Sequence, residues 1–169
     1  MADGFEIERK YLIRFPEREI LESCGTRYSI EQIYLLDDGS GYSSRIRKRE
    51  FEGKTEYFHT RKQHVTDIRR VELECLIPAE EYQLLRLSAD PKRSIIYKTR
   101  YCLESGGKLF EIDVYPFWND RAVMEIELSD EDDTFDIPEG ISVIKEITSD
   151  KRYTNSSIAK KIPQDDIQE

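Results

Sequence analysis

The chain has 169 residues, of which 38% are hydrophobic and 36% are charged, and its formal net charge is −9. This length favours one domain with a core of its own, and the negative net charge argues against general binding to nucleic-acid duplexes or membrane surfaces. The charged fraction is well above the roughly 25% that is usual in soluble globular proteins. Many of these charges therefore need an explanation other than solubility.

Most of the chain consists of segments with β-branched or aromatic residues in period-2 alternation, which is typical of β-strands. Glycine-containing turn sequences separate several of them. The predicted strands are Phe5–Ile13, Tyr28–Leu36, Tyr42–Phe51, Thr55–His64, Arg69–Ile77, Ile95–Leu103, Lys108–Tyr115 and Val123–Leu128, with Ile141–Ile147 as a candidate last strand. About eight strands joined by short turns predict an antiparallel sheet that closes on itself, an eight-stranded β-barrel.

A few short helices accompany these strands, so the predicted fold class is α+β and dominated by β-structure. Pro16–Cys24 begins with proline, and Pro78–Leu87 has a proline followed by glutamates in its first turn. A third helix is predicted to start after Asn155 and to run to Lys161. We expect one domain over residues 1–163, followed by an acidic C-terminal tail at residues 164–169.

Charges of the same sign recur at alternate positions on most of the predicted strands. The first case is Glu6-x-Glu8-x-Lys10, and alternate side chains of a strand share one face. Further pairs are Arg45/Arg47, Glu72/Glu74, Lys98/Arg100, Glu111/Asp113 and Glu125/Glu127.

Two interpretations of this pattern remain open. In an ordinary half-buried sheet the apolar face forms the core and the charged face meets water. In the alternative, the charged face lines the inside of a barrel, and helices or a partner subunit cover the apolar outer face. A solvent face usually mixes signs, because adjacent like charges repel each other. The segregation of signs therefore favours the charged lumen.

The residue types in this pattern point to metal and phosphate. Clustered carboxylates with few histidines suit Mg²⁺ or Mn²⁺ rather than zinc, and paired arginines donate forked hydrogen bonds to phosphate oxygens. Together they favour a metal-bound polyphosphate. No phosphate-binding glycine loop or serine-nucleophile motif is found. Attack by water would then need a base, for which Lys10 and Tyr34 are candidates.

The three cysteines, Cys24, Cys75 and Cys102, have no C-x-x-C spacing. Free thiols in a reducing compartment are therefore expected rather than a disulfide framework or a zinc site. The sequence contains neither a signal-peptide pattern nor a long apolar stretch. We therefore expect a cytoplasmic protein without a membrane partner.

The ordered series of charged motifs resembles the CYTH superfamily, the triphosphate tunnel metalloenzymes. Phe5–Lys10 resembles the E-x-E-x-K signature of that superfamily, and the run over nearly the whole chain resembles most closely the short bacterial tripolyphosphatase-like branch. The other matching segments are Tyr42–Arg47, Thr60–Lys62, Arg70–Glu74, Lys98–Tyr101, Phe110–Val114, Met124–Leu128 and Asp150–Asn155.

This resemblance implies a barrel with a charged tunnel and assigns roles to its residues. The implied ligands of a divalent metal are Glu6, Glu8, Glu111, Asp113, Glu125 and Glu127. The implied triphosphate-binding residues are Lys10, Arg45, Arg47, Lys62, Lys98, Arg100 and Lys151, the last as a residue that closes one end of the tunnel. Glu72 and Glu74 would line the tunnel, and Lys10 paired with Tyr34 would activate water.

The expected function is metal-dependent hydrolysis of the terminal phosphoanhydride of inorganic triphosphate, with nucleoside triphosphates as further substrates. The alternatives are an adenylate cyclase or a thiamine triphosphatase at the same site, and a non-enzymatic polyphosphate-binding module. The sole tryptophan, Trp118, is expected to pack rather than to stack on a base. A homodimer would be compatible with the resemblance and with an apolar outer strand face.

Overall fold

The computed structural model of the protein describes residues 2–167. Its strands are β1 (Ala2–Arg14), β2 (Thr26–Tyr34), β3 (Ser43–Phe51), β4 (Lys54–His64), β5 (Arg69–Ile77), β6 (Ile96–Ser105), β7 (Lys108–Val114), β8 (Arg121–Glu127) and β9 (Val143–Glu146). The helices are α1 (Arg18–Ser23), α2 (Ala79–Arg86) and α3 (Asn155–Ile158), and a 3₁₀ turn spans Lys151–Tyr153. All the predicted strands and helices are present, with ends that shift by a few residues.

Eight antiparallel strands close into a barrel in the order β5-β4-β3-β2-β6-β7-β8-β1, and β1 pairs with β5 to complete the ring. The length of β1 makes closure possible, because its first half pairs with β5 and its second half pairs with β8. β9 lies outside the ring and pairs with the end of β1. The predicted eight-stranded barrel is confirmed.

The strand register places the alternating charges on one side of the barrel wall. Glu8 lies opposite Glu127, and Lys10 lies opposite Glu125. Side chains that face each other across an antiparallel pair project to the same face. The lumen therefore receives the charged positions, as the segregation of signs had predicted.

The outer face of β1, β7 and β8 is an apolar core rather than a water-exposed surface. Ile112 and Met124 are fully buried there, and the connecting segments cover them with Ile68, Phe135 and Ile141. On the β2–β3 side, α2 packs its buried Tyr82 against a second apolar cluster. Much of the outer face is thus covered by the chain itself.

A third apolar cluster occupies one part of the lumen. Leu12, Ile96 and Val123 each lie two positions along a strand from a charged lumen residue, and all three are buried. They pack with Trp118 and with the C-terminal segment (residues 147–159), which contributes Tyr153 among others. This segment therefore fills the apolar part of the lumen.

The end of the described chain is held by ion pairs. Asp165 accepts hydrogen bonds from Arg152 at 2.8 Å, from Lys145 at 2.8 Å and from the Tyr153 hydroxyl at 2.7 Å. These contacts lower the pKa of Asp165 below its usual range, and the hydrogen bond from Arg152 has the largest effect. The acidic tail expected from residue 164 onward is thus anchored to the domain at Asp165.

The apolar outer face of β7 can be tested by truncation. Ile112→Ala should destabilise the protein by about 2–5 kcal/mol, because it leaves a cavity among fully buried side chains. Leu109→Ala, on the same strand but at a position that is 47% exposed, should change stability by only about 0.5 kcal/mol. Urea unfolding of both variants measures the difference. Equal costs would contradict a packed outer layer.

The anchor at Asp165 predicts a pH-dependent contribution to stability. Because its pKa is lower in the folded than in the unfolded chain, the contribution is present above the unfolded value, roughly 3.9, and is lost as the pH falls below it. Asp165→Asn should therefore lose about 1 kcal/mol at pH 7 and should approach the wild type in acid. Asp166→Asn, at the adjacent exposed position, is the matched control and should behave as the wild type throughout.

Candidate active site

A cavity of about 600 Å³ lies inside the barrel and is lined mainly by charged side chains. Among the described residues that line it, acidic and basic side chains are equally numerous, with eight of each. The basic residues are Lys10, Arg45, Arg47, Arg49, Lys62, Arg70, Arg100 and Lys151, and the acidic residues are Glu6, Glu8, Asp67, Glu72, Glu74, Glu111, Glu125 and Glu127. The cavity walls therefore carry no net charge when all of these groups are ionised.

The first acidic pair, Glu6 and Glu8, meets cations from β4 and β5. Lys62 donates to Glu6 at 2.8 Å, and Arg70 lies 3.2 Å from Glu8 and 3.7 Å from Glu6. Burial raises the pKa of Glu8, and the nearby Glu125 carboxylate raises it further. Burial and the charge of Glu6 likewise raise the pKa of Glu127. The cations present therefore do not fully compensate the carboxylates of Glu8 and Glu127.

Lys10 and Glu125 form an ion pair near the centre of the site, with their charged atoms 3.3 Å apart. Burial lowers the pKa of Lys10, but the Glu125 and Glu8 carboxylates outweigh this effect and raise it. Burial also opposes ionisation of Glu125, yet Lys10 and Arg100 hold its pKa well below the usual range. Lys10 is therefore a cation in this arrangement.

A buried triad joins Arg100, which lines the cavity, to Lys98 and Asp113 behind the lining. One Asp113 oxygen accepts from Lys98 at 2.7 Å and from Arg100 Nη2 at 2.9 Å, and the other accepts from Arg100 Nε at 2.7 Å. Burial lowers the pKa of Lys98 to about 7. Burial would raise the pKa of Asp113, but Arg100 and Lys98 lower it instead. Arg100 also reaches forward to Glu111 at 2.8 Å, so the triad holds Arg100 in place.

Arginines crowd the side of the site formed by β3. Arg47 is buried, and burial together with the charges of Arg45 and Arg100 lowers its pKa to about 10. The Nε atoms of Arg45 and Arg49 are buried, and neither has a hydrogen-bond partner among residues 2–167. Buried donors without acceptors are rare, since each costs about 1–3 kcal/mol. This side of the cavity is suited to an anion that supplies the missing acceptors.

Among the described residues, no group of three or more His, Cys, Asp or Glu side chains is positioned to hold a metal ion by itself. The carboxylates that line the cavity are nevertheless hard oxygen ligands of the kind that Mg²⁺ prefers. Magnesium is usually held by one or two carboxylates together with water and substrate phosphates. The donor set therefore fits a divalent ion that binds together with a phosphorylated substrate.

Comparisons with known proteins agree with this geometry. The chain is 32% identical over 163 residues to an inorganic triphosphatase of Nitrosomonas europaea, covering 94% of this chain and 99% of the relative. It is 33% identical over 159 residues to an inorganic triphosphatase of Acetivibrio thermocellus, covering 93% and 94% of the two chains. The chain belongs to the inorganic triphosphatase family. No profile of a known protein family matches it.

Solved structures agree with this assignment at the level of the fold. A crystal structure of an inorganic triphosphatase superposes with a TM-score of 0.58 at 30% identity, covering 94% of this chain and 97% of the other. A putative adenylate cyclase from Bacillus halodurans superposes with a TM-score of 0.53 at 17% identity, covering 78% and 84% of the two chains, and shares only the fold. In the described part of the chain, no helix has the length and apolar character needed to span a bilayer.

Most of the residues expected to form the site in this family member are gathered around the cavity. The residues on the lining are Glu6, Glu8, Lys10, Tyr34, Arg45, Arg47, Lys62, Glu72, Glu74, Arg100, Glu111, Glu125, Glu127 and Lys151. The other two, Lys98 and Asp113, lie behind the lining with fully buried side chains. Both Asp113 oxygens already accept hydrogen bonds from Lys98 and Arg100, which predicts a supporting role for this residue in place of the expected metal-ligand role.

Several residues of the site had no role predicted from the sequence. Arg70 was recognised as a charged position of β5, but its contacts to Glu6 and Glu8 depend on the pairing of β1 with β5. Gln32 is fully buried in the lumen and binds both Arg47 and Tyr34. Its location two residues before Tyr34 on β2 is the signal that could have identified it, because the two share a face.

The support role of Asp113 can be separated from a metal-ligand role by stability. Asp113→Asn should cost about 3–5 kcal/mol in metal-free buffer, because it leaves Lys98 and Arg100 without their buried counter-charge. Asp120→Asn removes the partner of Arg121 from a side chain that is 51% exposed and should cost less than about 1 kcal/mol. Chemical unfolding compares the two. A stable Asp113→Asn protein would return Asp113 to the candidate ligands.

Proposed function

We propose that this protein hydrolyses the terminal phosphoanhydride of inorganic triphosphate with the help of a divalent metal ion. The observation that carries the proposal is a barrel lumen in which cations and carboxylates from seven of the strands face one cavity, in a chain from the inorganic triphosphatase family. A volume of about 600 Å³ lies within the range of small-molecule sites.

The charge balance of the cavity supports joint binding of substrate and metal. Because eight acidic and eight basic residues line it, a polyphosphate entering alone would leave the lumen negatively charged. A divalent cation that enters with the polyphosphate offsets part of this excess. Each resident ion pair can then exchange partners: Lys62 and Arg70 turn to phosphoryl oxygens as the carboxylates of Glu6 and Glu8 turn to the metal.

On this proposal Arg45, Arg47 and Arg100 hold the phosphoryl oxygens, with Lys10 and Lys62 as further cations. Arg45 Nε is a buried donor without an acceptor among the described residues, and Arg100 is already held in position by Asp113. Donors fixed before the substrate arrives stabilise the charge of the transition state without reorganisation. We assign Lys98 a supporting role, since its ammonium is bound to Asp113.

We assign Mg²⁺ or Mn²⁺ to one or two of the carboxylates of Glu8, Glu125 and Glu127, with Glu6 and Glu111 beside them, because no three such groups among the described residues are positioned to hold the ion by themselves. When bound, the ion supplies Lewis-acid polarisation of the phosphoryl oxygens. Asp113 is left out of this ligand set because its oxygens bind Lys98 and Arg100. The crowding that raises the pKa of Glu8, through burial and Glu125, supports a cation at this location.

The reaction itself consists of attack by water on the terminal phosphorus. A new bond from the water oxygen to that phosphorus forms as its bond to the bridging oxygen breaks. Pyrophosphate leaves with the electron pair, and the proton lost by the attacking water passes to the leaving pyrophosphate oxygen or to bulk water as orthophosphate forms. Lys10 and Tyr34 remain the candidate residues for activating the attacking water. In the structure the Lys10 ammonium is paired with Glu125, and the Tyr34 hydroxyl is hydrogen-bonded to Gln32.

The lining favours inorganic triphosphate over a nucleotide or thiamine triphosphate. Its only benzenoid aromatic rings among the described residues are those of Phe5 and Tyr34. The central carbon of the Arg69 guanidinium lies 5.1 Å from the centre of the Phe5 ring, so this ring already contacts a cation. Trp118 is 6% exposed and packs edge-on against Tyr115, so it does not offer a face to a base.

The motifs and the barrel support placing the family in the CYTH superfamily.

Phosphate release from tripolyphosphate tests the proposal directly. The wild type should turn over with Mg²⁺ or Mn²⁺ and should stop in EDTA. Glu8→Gln and Lys10→Ala should each lose on the order of 100-fold or more, because each removes a charge aimed at the reacting group. The control variants are Glu22→Gln and Lys92→Ala, which make the same changes at exposed positions.

Normal turnover in both Glu8→Gln and Lys10→Ala would refute the assignment. Incubation with ATP separates the alternative reaction, because a cyclase would release pyrophosphate and cyclic AMP rather than orthophosphate. Binding of tripolyphosphate without turnover, with every divalent metal tried, would instead identify a polyphosphate-binding module.

A further inference from the structure

Gln32 lies between two residues of the proposed substrate site. Its side chain is fully buried in the lumen. Its Oε1 atom accepts from Arg47 Nε at 3.1 Å and from Arg47 Nη2 at 2.9 Å, and its Nε2 atom lies 2.6 Å from the Tyr34 hydroxyl oxygen. A neutral amide thus connects an arginine of β3 to the tyrosine at the end of β2.

The orientation of the Gln32 amide follows from which of the neighbouring atoms can donate hydrogen bonds. A guanidinium only donates hydrogen bonds, so the Gln32 atom that faces Arg47 must be the oxygen. The amide NH₂ group then faces Tyr34 and donates to its oxygen. Arg47 therefore determines which way the amide is turned, and the amide determines which lone pair of the phenol is occupied.

This arrangement leaves the Tyr34 O–H to donate elsewhere. Tyr34 lines the cavity and lies opposite Arg45 in the pairing of β2 with β3. Its ring is held in an apolar cluster, and the Arg93 guanidinium lies 5.8 Å from the ring centre. With the ring fixed and the oxygen accepting from Gln32, the phenol can present its proton to an acceptor in the cavity beside Arg45.

We propose that Gln32 is a positioning residue that fixes Tyr34 as a hydrogen-bond donor to a phosphoryl oxygen held by Arg45 and Arg47. The inference rests on the proposed function for the identity of the ligand, and it assigns Tyr34 a binding role that does not require loss of its proton. It also links two parts of the site, because Arg47, which binds phosphate, orients the Gln32 amide, and the amide in turn orients the Tyr34 phenol.

Gln32→Glu is the variant that distinguishes this role from simple packing. The two side chains have nearly the same shape, and a carboxylate still accepts both hydrogen bonds from Arg47. However, an ionised carboxylate has no proton to donate, so it accepts the Tyr34 O–H and withdraws that proton from the cavity. Tyr34→Phe removes the same donor directly. If the proposal holds, the second change should have no further effect once the first has been made.

The test is a double-mutant cycle on the affinity for tripolyphosphate, measured by titration calorimetry in EDTA. Binding without metal separates this inference from turnover, so a protein that fails to hydrolyse triphosphate can still confirm or refute it. Tyr34→Phe should weaken binding roughly ten- to hundredfold, the size of a hydrogen bond to a charged group. In the Gln32→Glu background the same substitution should change the affinity less than about twofold.

Two results would overturn the inference: unchanged binding by Tyr34→Phe, or a full loss on adding Tyr34→Phe to Gln32→Glu. Gln83→Glu, which adds the same charge on the exposed surface of α2, is the matched control, and in that background Tyr34→Phe should show its full effect. Thermal melts establish that each variant folds. If Gln32→Glu does not fold, Gln32→Met replaces it; the phenol is then no longer held by the amide, so Tyr34→Phe should weaken binding less in that background than in the wild type, and an undiminished effect would contradict the inference.

Discussion

The structure depends on the pairing of charges inside the barrel. An ionised group taken out of water costs several kcal/mol unless an opposite charge and further hydrogen bonds compensate it. Strand alternation directs many such groups into one lumen, so each strand must supply partners for its neighbours. The contacts of Lys62 with Glu6, of Lys10 with Glu125 and of Arg100 with Asp113 meet this requirement. Because much of the lumen is charged, two of the three apolar clusters form on the outside of the wall, and the third fills one part of the lumen.

The same pairing makes the site suitable for exchange of partners. The ion pairs of Glu6, Glu8 and Glu125 lie on the cavity surface, where, on the proposed function, an incoming phosphate or metal would replace either partner. The pairs of Asp113 lie behind that surface and do not face the cavity. The lumen is thus divided into an exchangeable layer and a fixed layer. The fixed layer gives Arg100 a constant orientation, which is what a preorganised phosphate site needs.

Much of this arrangement was predictable from the sequence because it depends on alternation. Period-2 patterning located the strands, and β5 was predicted with its observed ends at Arg69 and Ile77. Segregated signs indicated a charged lumen. Alternation could not separate Glu111 from Asp113, since both face inward and only their depth differs. How far an inward-facing side chain lies from the cavity depends on the stagger between neighbouring strands, and that stagger is set by how the strands pair in the folded barrel. Gln32 was missed for another reason: it is neutral, whereas the alternating pattern that indicated the site consists of charged residues.

The C-terminal segment links the stability of the barrel to the geometry of its site. Tyr153 and Ile158 pack into the apolar part of the lumen, whereas Thr148 and Asn155 face the cavity. Thr148 accepts a hydrogen bond from the Lys10 backbone N–H at 3.0 Å, and the Ile147 N–H donates to the Lys10 carbonyl at 2.8 Å, next to the residues where β1 pairs with β9. Lys10 is therefore positioned by a segment more than a hundred residues away along the chain. Any change that loosens the packing of this segment should also shift the cation at the centre of the site, so its apolar contacts contribute to binding as well as to folding.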